Sequence, residues 1–532
     1  MSNETMALGP TRPRRRLGVS AAIFAVGTGL SRIAGLAREI VAASYFGTTA
    51  AASAFSIASQ IPNLMSGLFA QAALSGAFVP VFTDLLQQGR KREAVKLAST
   101  LFWIILIALG ALSALGIIFA GTIMPLFTGS TFTVADNALT AVLAQILFPI
   151  VVLLGLTGLL VGILQSYDEF TMAALAPAIW NLVIVALLVV LHTHFHQSIY
   201  SYAVAWLVAT VVQMLLVAGA LQRIDFRLKF ELDWRDPRVK HVLVLMLPVT
   251  IGLGITNLDS LLNTVFGALV STAAPRAIDQ AFRIYMLPQG MFSVAVATVL
   301  LPTLSRQAAR RAPAEMRRTL GNGTRQINLL LIPATALLIA LTTPITRLVY
   351  QRGAFNAEST HLVSIALFWF AFSLPFGGLN LLLTRAFYAL QRPWIPTRYA
   401  VINIVVDVVV SVALYQPLGI AGLVIGTAVA NIVMTAQLLY RLRIGFNRRL
   451  EGAQTVMITT RIVVASAIMA AVAWGVWDGL DALLGRSLIA QLISVGGSIA
   501  VASTLYGWLV LSMRIPEARQ IQALVRDRLG PP

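Results

Sequence analysis

The chain has 532 residues, 58% of them hydrophobic and only 11% charged, with 39 Lys and Arg against 21 Asp and Glu, a net charge of +18, and a mean hydropathy of +0.82. Soluble domains carry about 25% charged residues, so an ordinary water-soluble enzyme is excluded. Unbroken apolar runs at 101–118 and 462–476 also exclude a membrane β-barrel, and the absence of cysteine removes disulfides and thiolate chemistry.

A helix needs about 20 apolar residues to cross about 30 Å of hydrocarbon. On that measure the sequence predicts an all-α polytopic membrane protein with about fourteen transmembrane helices. They lie at 18–46, 53–87, 94–121, 137–165, 171–195, 199–222, 239–270, 277–305, 316–343, 358–391, 396–414, 419–443, 456–480 and 487–513. Arg12 to Leu30 has the charged-then-apolar outline of a signal peptide, but no convincing cleavage site follows and the helix runs on through Arg32, Arg38 and Glu39. The segment is therefore read as the first span.

Positive charge follows these spans. It gathers at the N-terminus (Arg12, Arg14, Arg15, Arg16) and in even-numbered connections such as Arg90, Lys91, Arg92 and Lys96, or Arg441, Arg443, Arg448 and Arg449. Odd-numbered connections hold only Arg276, Arg347, Arg352 and Arg486, and one even connection, with Asp168 and Glu169, dissents. The positive-inside rule then places both termini in the cytoplasm and explains most of the basic excess without nucleic acid.

A weak repeat runs through the chain at an offset of about 220 residues. Phe46-Gly47 matches Phe266-Gly267, Glu39 falls on Asp259, Pro149 and Gln165 correspond to Pro375 and Gln391, and Asn181 corresponds to Asn403. Six spans per copy make the repeat parallel, as in transporters whose two lobes move about a central cavity. The expected organisation is a tail at 1–17, an N-lobe at 18–222, a C-lobe at 239–443, two further C-terminal helices at 456–513 and a cytoplasmic tail at 514–532.

Ionisable groups inside spans are costly and therefore informative. Arg32 and Arg38 lie six residues apart in the first span, Arg283 in the eighth and Arg385 in the tenth. Several guanidinium forks lining a cavity point to an anionic, phosphorylated substrate; the alternative is that Arg38 pairs with Glu39 and ties helices together. Asp259 in the seventh span, Asn403 and Asp407 on one face of the eleventh and Thr427 in the twelfth are hard oxygen ligands for Na⁺ or a proton-carrying site; their alternative is salt bridging to Arg283, Arg385 or Arg398. His192, His194 and His196 are either a metal site or solvated interfacial residues. There is no Walker motif and no nucleophile arrangement, so a transporter is expected, not an enzyme, with no catalytic residues.

Ser31-Arg32 through Arg38-Glu39, Gln60-Ile61-Pro62-Asn63-Leu64, Ala77-Phe78-Val79-Pro80 and Leu301-Pro302-Thr303-Leu304-Ser305 resemble the MurJ/MviN family of lipid II flippases, in the multidrug/oligosaccharidyl-lipid/polysaccharide exporter superfamily. The resemblance implies two six-helix lobes plus two extra helices, and movement of undecaprenyl-pyrophosphate-linked disaccharide pentapeptide to the outer leaflet of the bacterial inner membrane for peptidoglycan synthesis. It implies that Arg32, Arg38 and Arg283 engage the pyrophosphate, with Glu39 beside them, and that the last two helices form a groove for the lipid tail. It also implies a Na⁺ site at Asp259, Asn403, Asp407, Thr427 and a carbonyl near Leu423. No bound cofactor is expected beyond coupling to Na⁺, H⁺ or the membrane potential. Membrane lipids and cell-wall synthesis or division proteins are the expected partners.

The chain departs from the family pattern at four positions. Ser66 stands where an arginine is common, Gln71-Ala72 replace a Glu-Gly pair, and Ser53 and Phe282 occupy positions often acidic. These departures bear on the cargo and not on the class: the nearest rival is another polyprenyl-pyrophosphate oligosaccharide, whereas a cation-coupled multidrug exporter is disfavoured because Arg32, Arg38 and Arg283 make a basic cavity.

Overall fold

The computed structural model describes the backbone of residues 14–69, 71–194, 198–446, 451–520 and 522, and their side chains except at 14–26, 28, 65–69, 71–76, 247–257 and 259. Among these residues the regular elements are all helical. They are α1 (Arg14–Phe46), α2 (Ala50–Phe69), α3 (Gln71–Gln87), α4 (Lys91–Ile123), α5 (Pro125–Thr128), α6 (Val134–Leu147), α7 (Pro149–Ser166), α8 (Thr171–His194), α9 (Tyr200–Ala220) and α10 (Pro237–Val270). The series continues with α11 (Ala274–Pro288), α12 (Val294–Ala309), α13 (Pro313–Ala340), α14 (Thr342–Tyr350), α15 (Ala357–Ala389), α16 (Trp394–Leu418), α17 (Ile420–Gly445), α18 (Gly452–Leu484) and α19 (Leu488–Ser512).

Each predicted span falls on one helix or on two in succession. The fourth is divided where Pro149, which has no N–H to give to the preceding turn, opens α7. The eighth is interrupted after Pro288 by a π-helical turn, Gln289–Ser293, that separates α11 from α12. Among the described residues, eleven helical segments are long and apolar enough to cross a membrane, and Ala77–Gln87 and Ser260–Val270 are shorter apolar helices.

The chain forms two compact units, one built from the chain up to Ala42 with Ala58–Pro125 and Asn137–Asn257, the other from Ala43–Ile57, Leu126–Asp136 and Leu258 onward. In the first, α7 is the central post, in contact with α3, α4 and α9. Phe78 and Phe82 of α3, Leu97 and Leu101 of α4 and Leu159, Ile163 and Leu164 of α7 form its core. In the second unit α15 has the corresponding place, surrounded by α11, α12, α13 and α17. Of the membrane-length segments these two are the most enclosed, 72% of the best window for Val134–Ser166 and 61% for Ala357–Ala389, and they carry the repeat-related Pro149 and Pro375.

The last two helices belong to the second unit. Ile458, Ile462 and Ala465 of α18 and Val510 of α19 close on Leu329 of α13, while Leu483, Ile489, Leu492 and Trp508 stay exposed. In hydrocarbon such side chains need no cover, since lipid is as apolar as they are. Arg325 of α13 is buried and pairs with Glu517, which follows α19, and with Glu451 at 3.1 Å.

Candidate functional site

Arg38 of α1 is 4% exposed and Glu39 2% exposed, and Arg38 Nη2 donates to Glu39 Oε1 at 2.6 Å. The guanidinium carbon also lies 5.0 Å from the ring centroids of both Trp180 on α8 and Trp206 on α9. Trp180 Nε1 donates to Thr210 Oγ1 at 3.0 Å and Thr210 donates to the Trp206 carbonyl at 2.8 Å, which fixes the two helices around the cation. Asn181 Nδ2 donates to the carbonyls of Pro177 at 2.9 Å and Ser31 at 3.5 Å, tying α8 to α1. A desolvated cation on a Trp face gains about 2 kcal/mol, so this arginine is held firmly by its own protein. Arg32 differs: it is exposed and has no carboxylate partner among the described residues.

In the second unit, α11 places Arg276, Asp279 and Arg283 on one face. Asp279 is 3.1 Å from Arg276 Nη1 and 3.3 Å from Arg283 Nη2, and while the Arg276 side chain is only 4% exposed, that of Arg283 is 36% exposed. Asp279 thus serves both guanidinium groups, and the more exposed of the two arginines is Arg283. The neighbouring Phe282 belongs to an aromatic cluster, 5.6 Å from Tyr285 and 5.7 Å from Phe370 by ring centroid. Ser53 is buried and accepts the Arg276 backbone N–H at 3.3 Å.

The third constellation inverts the usual polarity of a helix. On α16 the buried residues are Pro396, Asp407 and Ser411, whereas Val401, Val405, Val409 and Val412 are exposed. An apolar helix that turns its carboxylate inward and its valines outward suits a lipid surround with a polar site behind it. Thr427 Oγ1 and Ser411 Oγ each donate to Asp407 Oδ1 at 3.3 Å, Ser411 also lies 3.2 Å from the Leu423 carbonyl, and Asn263 Nδ2 of α10 donates to Thr427 Oγ1 at 3.2 Å. Gly426 permits the close approach: a Cβ there would overlap Ser411 Oγ and come within 2.8 Å of Asp407 Oδ1. Gly419 alone connects α16 to α17, with φ 56° and ψ −131°, a conformation essentially reserved for glycine.

A small cavity of about 20 Å³ joins the second and third constellations, lined by Asn263 and Thr264 on one side and Asp279, Phe282 and Phe370 on the other. One water needs about 10–15 Å³ by this measure, so the space admits a single small occupant.

The structure thus brings Asp407, Thr427 and the Leu423 carbonyl together. Asn403 lies one turn before Asp407, with Nδ2 buried and unpartnered among the described residues. The side chains of Ser66, Gln71 and Asp259, like His196, lie outside the described residues. Among the described residues no group of three or more His, Asp or Glu is placed to hold a metal. Sequence reasoning missed Trp180, Trp206, Asp279, Asn263 and Ser411. The last two had a signal, since each lies four residues after a singled-out carboxylate, Asp259 or Asp407, on the same helix face.

The sequence model of the family "Lipid II flippase MurJ" matches residues 42–489. A probable lipid II flippase MurJ of Rhizobium meliloti (strain 1021) is 32% identical over 90% of this chain and 90% of its own length. Among solved structures, a lipid II flippase MurJ in an inward closed conformation covers 92% of this chain and 99% of its own with a TM-score of 0.77 at 23% identity. An inward-facing multidrug resistance MATE family transporter of the MOP superfamily shares the fold more distantly, with a TM-score of 0.64 at 14% identity over 81% of this chain and 98% of its own. With a family match over most of its length and helices to cross a membrane many times, the chain belongs to the lipid II flippase MurJ family.

Proposed function

We propose that this chain carries lipid II from the inner to the outer leaflet of the bacterial cytoplasmic membrane by alternating access, with both termini cytoplasmic. The contrast on α1 carries the reading: Arg38 is neutralised within the protein, while Arg32 is exposed without a carboxylate partner among the described residues. Arg32 and the partly exposed Arg283 supply guanidinium forks for the pyrophosphate oxygens, and Ser66 and Gln71 give neutral polar contacts to the headgroup. Arg38 and Glu39 act as positioning residues that hold α1 against α8 and α9. The α18–α19 pair offers its exposed apolar face to the polyprenyl tail.

Asp407, Thr427, Asn263 and the Leu423 carbonyl form an all-oxygen donor set, and Asp259 and Asn403 complete the proposed site, whose hard oxygen donors suit Na⁺. When bound, Na⁺ supplies one positive charge there, and protonation of Asp407 is the equivalent change without it. In either case Asp407 ceases to attract positive charge, and Asn263 shares a cavity wall with Asp279, the carboxylate that holds Arg283. The membrane potential offers about 2.3 kcal/mol per charge per 100 mV to bias the cycle.

Labelled lipid II in proteoliposomes, with and without Na⁺ and an imposed potential, tests the reading. Outer-leaflet lipid II is expected to accumulate with the native chain and to fall at least about tenfold with Arg32→Gln, the loss of one charge-assisted contact of about 1.5–3 kcal/mol. Movement of a different polyprenyl-pyrophosphate glycan while lipid II stays in place would overturn it.

A further inference from the structure

A second lipid-sized site lies away from these constellations. The opening turns of α13, the last turns of α15 and α17 and the first residues of α18 enclose a cavity of about 640 Å³. Its walls are apolar, formed by Leu320, Leu383, Leu439 and Leu442, and its charged residues are Arg317, Arg443 and Glu451. Glu451 is already engaged from inside the protein, since Arg325 Nη1 donates to its Oε2 at 3.1 Å. Arg317 and Arg443 have no carboxylate partner among the described residues, and since Glu451 shares Arg325 with Glu517, the rim of Arg317, Arg443 and Glu451 keeps a net positive charge of one.

The backbone adds to this field. α18 begins at the rim, and its N-cap, Glu451, makes no side-chain capping bond. The first amide N–H groups of this long helix, with the positive end of its dipole, thus face the same opening as the two arginines. Cationic rim above apolar walls at the end of a membrane helix bundle is the pattern that receives a phosphate headgroup with its acyl chains below. A zwitterionic headgroup would bring an ammonium against two arginines; a phosphodiester without a compensating cation would not.

We propose that this cavity binds an anionic glycerophospholipid of the adjoining leaflet, its phosphodiester held by Arg317 and Arg443 and an acyl chain laid along Leu320, Leu383 and Leu442. The site is distinct from the arginines assigned to lipid II, and its occupant is a resident lipid rather than cargo.

Native mass spectrometry of the purified full-length protein in detergent, titrated with phosphatidylglycerol or phosphatidylethanolamine, tests it independently of transport and membrane orientation. Phosphatidylglycerol is expected to bind with preference, and Arg317→Gln with Arg443→Gln to weaken it at least tenfold. Arg461→Gln, an exposed arginine elsewhere on α18, should leave binding unchanged. Ala453→Trp, which narrows the exposed mouth without touching charge, should produce the same loss as the double substitution. Retained phosphatidylglycerol binding in both altered forms, equal binding of phosphatidylethanolamine, or displacement of phosphatidylglycerol by equimolar undecaprenyl phosphate would each overturn the proposal.

Discussion

Replacing Arg38 by methionine keeps a long side chain but withdraws the charge from Glu39 and from the two indole rings. Removing one partner of a buried ion pair costs about 3–5 kcal/mol. Two desolvated cation–π contacts add up to about 4 kcal/mol, and sulfur–aromatic contacts return about 0.3–1.5 kcal/mol for each ring. Arg38→Met should therefore lose about 4 kcal/mol or more, a large fraction of typical protein stability. Glu39→Gln should lose about 3 kcal/mol, because Arg38 keeps its rings. The double substitution removes both buried charges together, so it should be less damaging than the sum of the two, with a coupling energy of about 2–3 kcal/mol. Thermal unfolding of all four proteins in a mild detergent measures the cycle, with lipid II translocation followed in parallel. Additive effects, or an Arg38→Met protein of native stability that no longer moves lipid II, would refute the assignment of Arg38 to the protein's own framework.

Arg32→Gln should leave stability within about 0.5 kcal/mol, as expected for an exposed side chain, while translocation falls; a destabilised Arg32→Gln protein would place this arginine in a structural contact. Gly426→Ala should cost about 1–3 kcal/mol by overpacking α16 against α17 and should abolish any stabilisation by added Na⁺, read as a thermal shift in NaCl against choline chloride. Lys96 Nζ is 2.7 Å from Asp233, and this hydrogen bond holds the Asp233 carboxyl below its ordinary value of 3.8. A carboxyl depressed in the folded state contributes stability above its unfolded pKa and loses it as pH falls through the folded one. Amide exchange in the 229–233 segment should therefore be equally protected at pH 7 and pH 5, and early opening at pH 5 would contradict the tie.

The spans were legible because each is a local property: an apolar run long enough to cross lipid is visible without knowing its neighbours. α14 was not, since Thr342–Tyr350 is short and half polar and takes its helical form against neighbouring helices. The candidate residues divide on the same principle. Asp407 and Thr427 could be singled out as polar groups in apolar helices, and the tight α16–α17 connection does bring them together. The state of Arg38 could not be read, because its two indoles come from α8 and α9, far along the chain, and no local pattern links them to α1. Its pairing with Glu39 was visible only as one of two alternatives. Asp279 went unnoticed for the opposite reason: beside Arg276 and Arg283 it reads as an ordinary helical charge until its low exposure and shared role are seen.

The single-residue link at Gly419 also bears on how the protein is made. Asp407 alone would burden α16 with about 2.5–3.5 kcal/mol of unfavourable insertion at the bilayer centre. Because α17 follows after one residue, the hydroxyl of Thr427 and the carbonyl of Leu423 are carried in on the same hairpin. The polar stripe is thus sealed within the pair, valines outward, with Asn263 of α10 joining it through Thr427. Lengthening this turn with flexible residues would separate insertion of the two helices and expose the carboxylate to hydrocarbon, so its brevity serves biogenesis as well as the finished site.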